Sequence, residues 1–259
     1  MVRSLYTSGW SMLANSKKLD IISNNLANVN TNAYKRDTVV FESFPSLLAK
    51  RINDVRSQTN PSGNLGSVQY GSDIGEIYTN YAVGQLMNTG NKLDLAIQNS
   101  ESAFFTIAVP DKNGNPRLLY TRDGSFTLDS KKQLVTKEGY AVMGENGPIM
   151  LEGENINVRE DGVIVQNGKE VTKLLLKNFK NPDSLRKFGS NLIEITDQTV
   201  EQDFQGTVAQ GYLEQSNVNI IREMVDMISI MRSYEANQKI IQTIDGTLDR
   251  AVNEVGALR

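Results

Sequence analysis

The 259-residue chain is 39% apolar, carries 27 basic against 30 acidic side chains, and contains neither histidine nor cysteine. That length makes one large domain or two modest ones, and a net charge of −3 offers no broad attraction to nucleic acid or anionic lipid. Without Cys or His there is no disulfide, no thiolate nucleophile, and neither the commonest general base nor the commonest metal ligand, so no cofactor or metal is expected.

The chain begins "MVRSLYTSGWSMLANSKK", which lacks the continuous apolar core of a secretory signal. No apolar run approaches the roughly 20 residues of a membrane span. The expectation is a soluble chain with no direct membrane insertion, whose export would not use a cleaved Sec-type signal.

Residues 3–28 carry a helical pattern. Leu5, Met12, Leu19 and Leu26 recur every seven residues, Ile22 and Val29 fill the partner positions, and Ser8 and Asn15 weaken the seam early on. Tyr6, Trp10 and Leu13 make a second apolar patch off that seam, and a helix with two apolar faces needs more than one neighbour. At the end of the pattern "SNNLANVNTNAYKR" crowds Asn24, Asn25, Asn28, Asn30 and Asn32 together. Residues 1–36 are therefore taken as the N-terminal helix with an Asn-rich motif.

Residues 37–82 read as a linker. Phe44, Leu47, Leu48, Ile52 and Val55 are spaced for one short amphipathic helix, and "SQTNPSGNLGS" reads as a flexible connector. Residues 83–212 read as an all-β domain: "LDLAIQ", "AFFTIAV", "RLLYT", "SFTLD", "QLVT" and "YAVMG" are strand-like runs, separated by turn signals such as "RDGS", "ENGP" and "QNGK".

Residues 213–259 close the chain with a helix over 219–256, about 55 Å long at 1.5 Å per residue. Asn217 and Asn219 are candidate N-caps. Met227, Tyr234, Ile241, Leu248 and Val255 hold a heptad, which Ile230, Met231, Ile244, Ala251 and Val252 widen. A helix of that length suits a coiled coil better than the core of a small globule.

A search for chemistry finds no phosphate-binding loop, no nucleophile elbow and no HExxH. "DKNGNP" is placed as a plain turn, not a calcium loop. Acid pairs such as Glu152 with Glu154, or Glu160 with Asp161, flank glycines in turns and read as solvated charge. No enzyme is expected. Two terminal heptad helices bracketing one β domain leave surplus apolar helix surface, which suits a polymer subunit. The expected fold is mixed α and β: long N- and C-terminal helices pairing as a coiled-coil-like subdomain, with an all-β domain inserted between them.

Three stretches carry a resemblance. "LDIISNNLANVNTNAYKRD" resembles the N-terminal signature of the bacterial flagellar rod and hook axial proteins. "QGYLEQSNVNIIREMVDMISIMRSYEANQKIIQTIDGTLDRA" resembles their C-terminal signature, and "NKLDLAIQNSESAFFTI" with "YTRDGSFTLD" the central segment of the rod proteins. The resemblance implies a basal-body rod subunit of the FlgF/FlgG type, leaning to the proximal FlgF type. It implies a helical tube domain built from both termini and an outer β domain. It also implies export by the flagellar type III apparatus without signal cleavage, a place in the cell envelope, and partners among copies of itself and other rod and hook proteins. A hook or hook-associated protein and a cell-wall hydrolase stand as alternatives. Ala33 occupies the family's usual glycine, which disfavours a left-handed turn there, and "NSES" replaces the usual Gly-rich turn after "LAIQ".

On this reading Leu5, Met12, Leu19, Ile22, Leu26, Asn24, Asn25, Asn28 and Asn30 pack subunits from the N-terminal side. Asn217, Met227, Met231, Tyr234, Asn237, Ile241, Leu248 and Val255 do so from the C-terminal side. Phe44, Leu48 and Ile52 are linker contacts. The asparagines, each donor and acceptor, would satisfy the free carbonyls of a helix end among many copies. The free subunit is expected to have disordered ends, trimmed by protease to a core near residues 66–212.

Overall fold

The computed structural model describes residues 2–50, 64–69, 71–111, 116–153, 155–189 and 191–256. The fold is mixed α and β, with an N-terminal helix, a strand-rich middle and a C-terminal helix. It divides into two compact units: the first comprises 1–24, 37–78 and 221–259, the second 25–36 and 79–220. The Asn-rich segment, expected with the N-terminal helix, therefore packs in the strand-rich unit.

Helix α1 spans Val2–Ala27 and helix α2 spans Ile220–Arg250, continued by one π-helical turn, Ala251–Val255; all but residues 25–27 and 220 of these belong to the first unit. Both carry apolar residues at helical spacing with no internal proline, which is what permits their length. The linker differs from expectation. Asp37–Ser43 pairs with Ser72–Thr79, and Leu47–Lys50 pairs antiparallel with Asn64–Val68, Leu48 opposite Ser67. The short helix anticipated from Phe44 through Val55 is thus a strand over Leu47–Lys50, while Ile52 and Val55 lie outside the described residues. Leu47 and Leu48 are exposed, so no buried face rewards a helix, and so short a helix is marginal without one. The ladder to Asn64–Val68 satisfies the same backbone groups.

In the second unit the strand Ala103–Pro110 is the organising element. It pairs with Pro116–Thr121 over Phe105–Pro110, with Ala141–Gly144 towards its C-terminal end and with Leu176–Phe179 towards its start. Side chains alternate between its faces. Ala103, Phe105 and Ile107 enter a large core with Leu119, Leu134, Val142 and Ile149. Phe104 enters a second core with Tyr81, Tyr120 and Phe179. Both faces are covered, which is why "AFFTIAV" is apolar on both faces, save for Thr106, instead of alternating. Edge-to-face rings fill both cores: Phe105 with Phe126 at 5.2 Å, and Tyr120 with Phe179 at 4.9 Å. The predicted turn at "QNGK" is present, with Asn167 and Gly168 both at positive φ (52° and 77°) between paired strands Val163–Gln166 and Lys169–Lys173, as a tight hairpin turn requires.

Gly124 shows how closely the unit is packed. Its carbonyl accepts the Leu95 amide at 3.0 Å, and a Cβ added there would sit 1.6 Å from the Leu95 carbonyl oxygen. Backbone cannot yield to that overlap as a flexible side chain can. Gly124→Ala is expected to destabilise the protein by about 2–4 kcal/mol in denaturant unfolding. Gly153→Ala, with open space around the added methyl, should stay within roughly 0.5 kcal/mol of the parent.

Candidate functional site

In the first unit, two side-chain hydrogen bonds join the helices: Asn15 Nδ2 donates to Ser233 Oγ at 3.1 Å, and Asn237 Nδ2 to Ser11 Oγ at 3.2 Å. Four residues forward on α1 correspond to four backward on α2, so the helices run in opposite directions there. On α1, Ser8, Ala14 and Ile22 are buried, while Met12, Asn15 and Leu19 are half-buried. On α2, Ile230 is buried, and Met227, Asn237, Ile241, Ile244 and Leu248 are half-buried. Most of the anticipated heptad thus faces inward within a single chain. Met231 and Tyr234 are exposed, and Val255 lies in the π-helical turn.

The open apolar surface lies elsewhere. Tyr6 (61% exposed), Leu13 and Leu5 project from α1. Ile221 (75%), Met224, Val225, Ile228 (52%) and Met231 project from α2. Their offsets of three, four, seven and ten place them on one stripe of the helix. That second periodicity is present in "IIREMVDMISIM" and was overlooked beside the longer heptad. Fully burying one such side chain is worth about 1.5–3 kcal/mol, so the stripe can drive association. In the linker, Phe44 packs edge-on against Trp10 at 5.2 Å, Leu48 is exposed, and Ile52 is outside the described residues.

In the second unit the Asn-rich segment is structured by its own chain. Leu26 and Asn28 are half-buried, and Asn24 and Asn30 are exposed. Asn25 is buried and accepts the Tyr34 hydroxyl at 3.3 Å. Asn28 Oδ1 accepts Thr31 Oγ1 at 3.1 Å, closing the turn after α1. Asn217 is no helix cap. Its Oδ1 accepts the Arg36 amide at 2.8 Å, and its Nδ2 donates to the carbonyls of Asn80 and Ala82 at 2.8 and 3.0 Å. Ala33 does adopt the left-handed turn, at φ 56°, and its amide donates to the Glu214 carbonyl at 2.8 Å. An alanine pays roughly 1–2 kcal/mol for that conformation, and the surrounding bonds hold it there.

These contacts converge on a buried ionic cluster. Glu214, on the strand Tyr212–Glu214, accepts Lys35 Nζ at 2.6 Å and the Gly84 amide at 2.9 Å on one carboxylate oxygen, and Arg122 Nε at 2.7 Å on the other. Lys35 also donates to the Ala82 carbonyl at 2.8 Å. Arg122 also donates to the carbonyls of Ala103, Ser100 and Ile97. The side chains of all three charged residues are almost wholly buried. Sequence reading missed this clasp, because its members are 179 and 92 residues from Glu214 and no local pattern marks them.

Comparison with known proteins gives a consistent result. Residues 5–35 match the family model "Flagella basal body rod protein", residues 96–166 the "Flagellar hook protein FlgE/F/G D1 domain", and residues 209–254 the "Flagellar basal body rod FlgEFG protein C-terminal". The chain is 38% identical to the flagellar basal-body rod protein FlgG of Buchnera aphidicola subsp. Acyrthosiphon pisum, over 96% of this chain and 98% of that protein. It is 33% identical to FlgG of Bacillus subtilis (98% and 99% covered) and 34% identical to the rod protein FlgF of Rhizobium meliloti (both chains fully covered). Lys35, Arg122 and Glu214 fall one in each matched segment, so the clasp joins all three.

Burial alone would raise the Glu214 carboxyl, but Arg122 and then Lys35 outweigh it and hold the group below its ordinary range. Burial lowers the Lys35 ammonium, and Glu214 only partly offsets this. Glu214 therefore contributes stability above the ordinary carboxylate pKa, and this is lost as pH falls through its depressed folded value. Lys35 carries the opposite sign: its penalty is relieved as pH rises through its lowered value. Glu214→Gln is expected to cost about 3–5 kcal/mol at pH 7, because two buried cations lose their counter-charge. Denaturant unfolding at stepped pH should show this difference shrinking as pH falls below the ordinary carboxylate range and through the depressed folded value, where the parent carboxylate itself takes up a proton.

Proposed function

We propose a function from one premise: the chain belongs to the flagellar basal-body rod protein family and is a structural protein of the flagellar rod. On our reading the subunit polymerises through its terminal helices into the axial drive shaft that carries motor torque toward the hook. The observation that carries this is the stripe Ile221, Met224, Val225, Ile228 and Met231, left open on a helix whose opposite side is already occupied. A soluble monomer seldom leaves such a contiguous apolar patch unused, and copies of the same chain offer complementary helix surface at every step of a polymer. Antiparallel pairing of α1 and α2 in the manner of a coiled coil forms part of the proposal, supported by the two hydrogen bonds between them.

The inward-facing seam of Met12, Leu19, Ile22, Met227, Ile241 and Leu248 steadies each helix pair, and Leu5, Met231 and Tyr234 extend the contact to neighbours. The exposed Leu48 and the ring of Phe44 bridge adjacent subunits. Before assembly the chain passes through the flagellar type III export apparatus without signal cleavage and takes its place in the cell envelope among other rod and hook proteins. The helices described have no segment long and apolar enough to cross a membrane, consistent with that route. The proximal, FlgF-type position completes the reading, on the run "EANQKIIQTIDGTLDRAVNEVG". Relatives of both names match over nearly their whole length, so locating the subunit in isolated basal bodies is the test of position.

Ile228→Asp tests the assembly surface. Ile228 is open in the single chain, so the isolated subunit should keep its stability within roughly 0.5 kcal/mol. An aspartate there would place an unpaired carboxylate in every packed copy, at several kcal/mol each. Rod assembly, counted in isolated basal bodies, and swimming motility should both be lost while secretion of the subunit continues. Normal rods carrying this variant would remove α2 from the interface.

A further inference from the structure

The clasp has a second property beyond stability: it ties both passages of the chain into the strand-rich unit at one place. The N-terminal passage contributes Tyr34, Lys35 and Arg36, and the C-terminal passage contributes Glu214 and Asn217. Besides the Lys35–Glu214 pair, the Asn217 amide donates to the Tyr34 carbonyl at 3.3 Å. Lys187 Nζ donates to the Lys35 carbonyl at 2.7 Å and lies 4.3 Å over the Tyr34 ring. Asn191 Nδ2 donates to the Asn32 carbonyl at 3.1 Å. Ala33, Tyr34 and Lys35 are all buried. No residue of another copy is needed to complete this set of bonds.

We propose that the clasp is closed in the free, unassembled subunit, so that residues 25–36 and 212–218 form a pre-ordered platform where the chain enters and leaves the strand-rich unit. The folded core of the free subunit then starts at residue 25 of the N-terminal passage, not near residue 66. The helices differ from the platform in kind: each offers open apolar surface that only a neighbour can cover, whereas the platform is buried and hydrogen-bonded within the strand-rich unit. Ordering these two segments before assembly removes their ordering cost from the assembly step. The platform's role in assembly rests on the rod-subunit reading above, while its closure in the monomer does not.

The charge balance supplies a selective way to open it. The cluster sets two cations against one carboxylate, and Arg122 is additionally held by three carbonyls of its own unit. Lys35→Met leaves a neutral Glu214–Arg122 pair and removes only the arm that reaches the N-terminal passage. A buried pair that stays matched is far less damaging than one stripped of its partner. Asn217→Ala removes the other tie, the amide that bridges Arg36 to Asn80 and Ala82.

Hydrogen–deuterium exchange on the full-length monomer, resolved by peptide, tests the proposal. In the parent protein, peptides from 25–36 should exchange about 100-fold more slowly than peptides from 2–20, and within roughly tenfold of the central strand Ala103–Pro110. Lys35→Met and Asn217→Ala should each speed exchange in 25–36 by about tenfold or more while Ala103–Pro110 is unchanged. Parent exchange in 25–36 as fast as in 2–20 would overturn the proposal, as would protection of 2–20 equal to that of 25–36. Unaltered exchange in both variants, or loss of protection in Ala103–Pro110 with both, would overturn it too, since the clasp would then be either idle or inseparable from the core. The motility of Ile228→Asp has no bearing on these rates, so a failure of the assembly reading is read separately.

Discussion

Glu214 is a carboxylate taken out of water and surrounded by donors: two side-chain cations and one backbone amide. A lone charge in that position would be prohibitive. It is tolerable because its partners are fixed by bonds of their own, Arg122 to three carbonyls and Lys35 to one. The geometry of those bonds sets where the chain enters the strand-rich unit and where it leaves. Residues 25–36 would otherwise be a polar tail on a helix, with no buried apolar face beyond Ala33 and Tyr34 to hold them.

The two units have different thermodynamic characters. The strand-rich unit closes on itself: its central strand is paired on both edges and covered on both faces. The helical unit leaves Tyr6, Leu13, Ile221, Val225 and Ile228 open to solvent. Within a rod subunit this contrast has a use. A self-sufficient unit retains its shape whatever surrounds it, and an incomplete one is stabilised further by any neighbour that covers its apolar surface.

Much of the architecture was legible before any coordinates. Period-seven spacing marked both helices, turn dipeptides such as Asn167–Gly168 marked hairpins, and the run at Ala103–Val109 marked a strand. The linker was misread because Phe44, Leu47 and Leu48 fit a helical spacing over a stretch too short for periodicity to discriminate. Pairing with Asn64–Val68, a non-local event, decided the matter. The open stripe at Ile221–Met231 is present in the spacing, yet nothing in the spacing ranks it against the seam at Met227, Ile241 and Leu248. Periodicity shows that a helix has two apolar faces and is silent on which one its own chain covers.

By itself, then, the sequence determined family and most local geometry: the two long helices, the strands and turns of the middle, and three stretches shared with flagellar rod proteins. Those are properties of neighbouring residues and of side-chain period. Only the tertiary structure decided that Lys35, Arg122 and Glu214 meet, that Asn217 ties chain passages instead of capping a helix, and that Ala33 keeps a left-handed turn without glycine. Each depends on groups many residues apart arriving at hydrogen-bonding distance in a buried site. There the energy of a charge or a backbone angle is set by what surrounds it and not by what adjoins it in the chain.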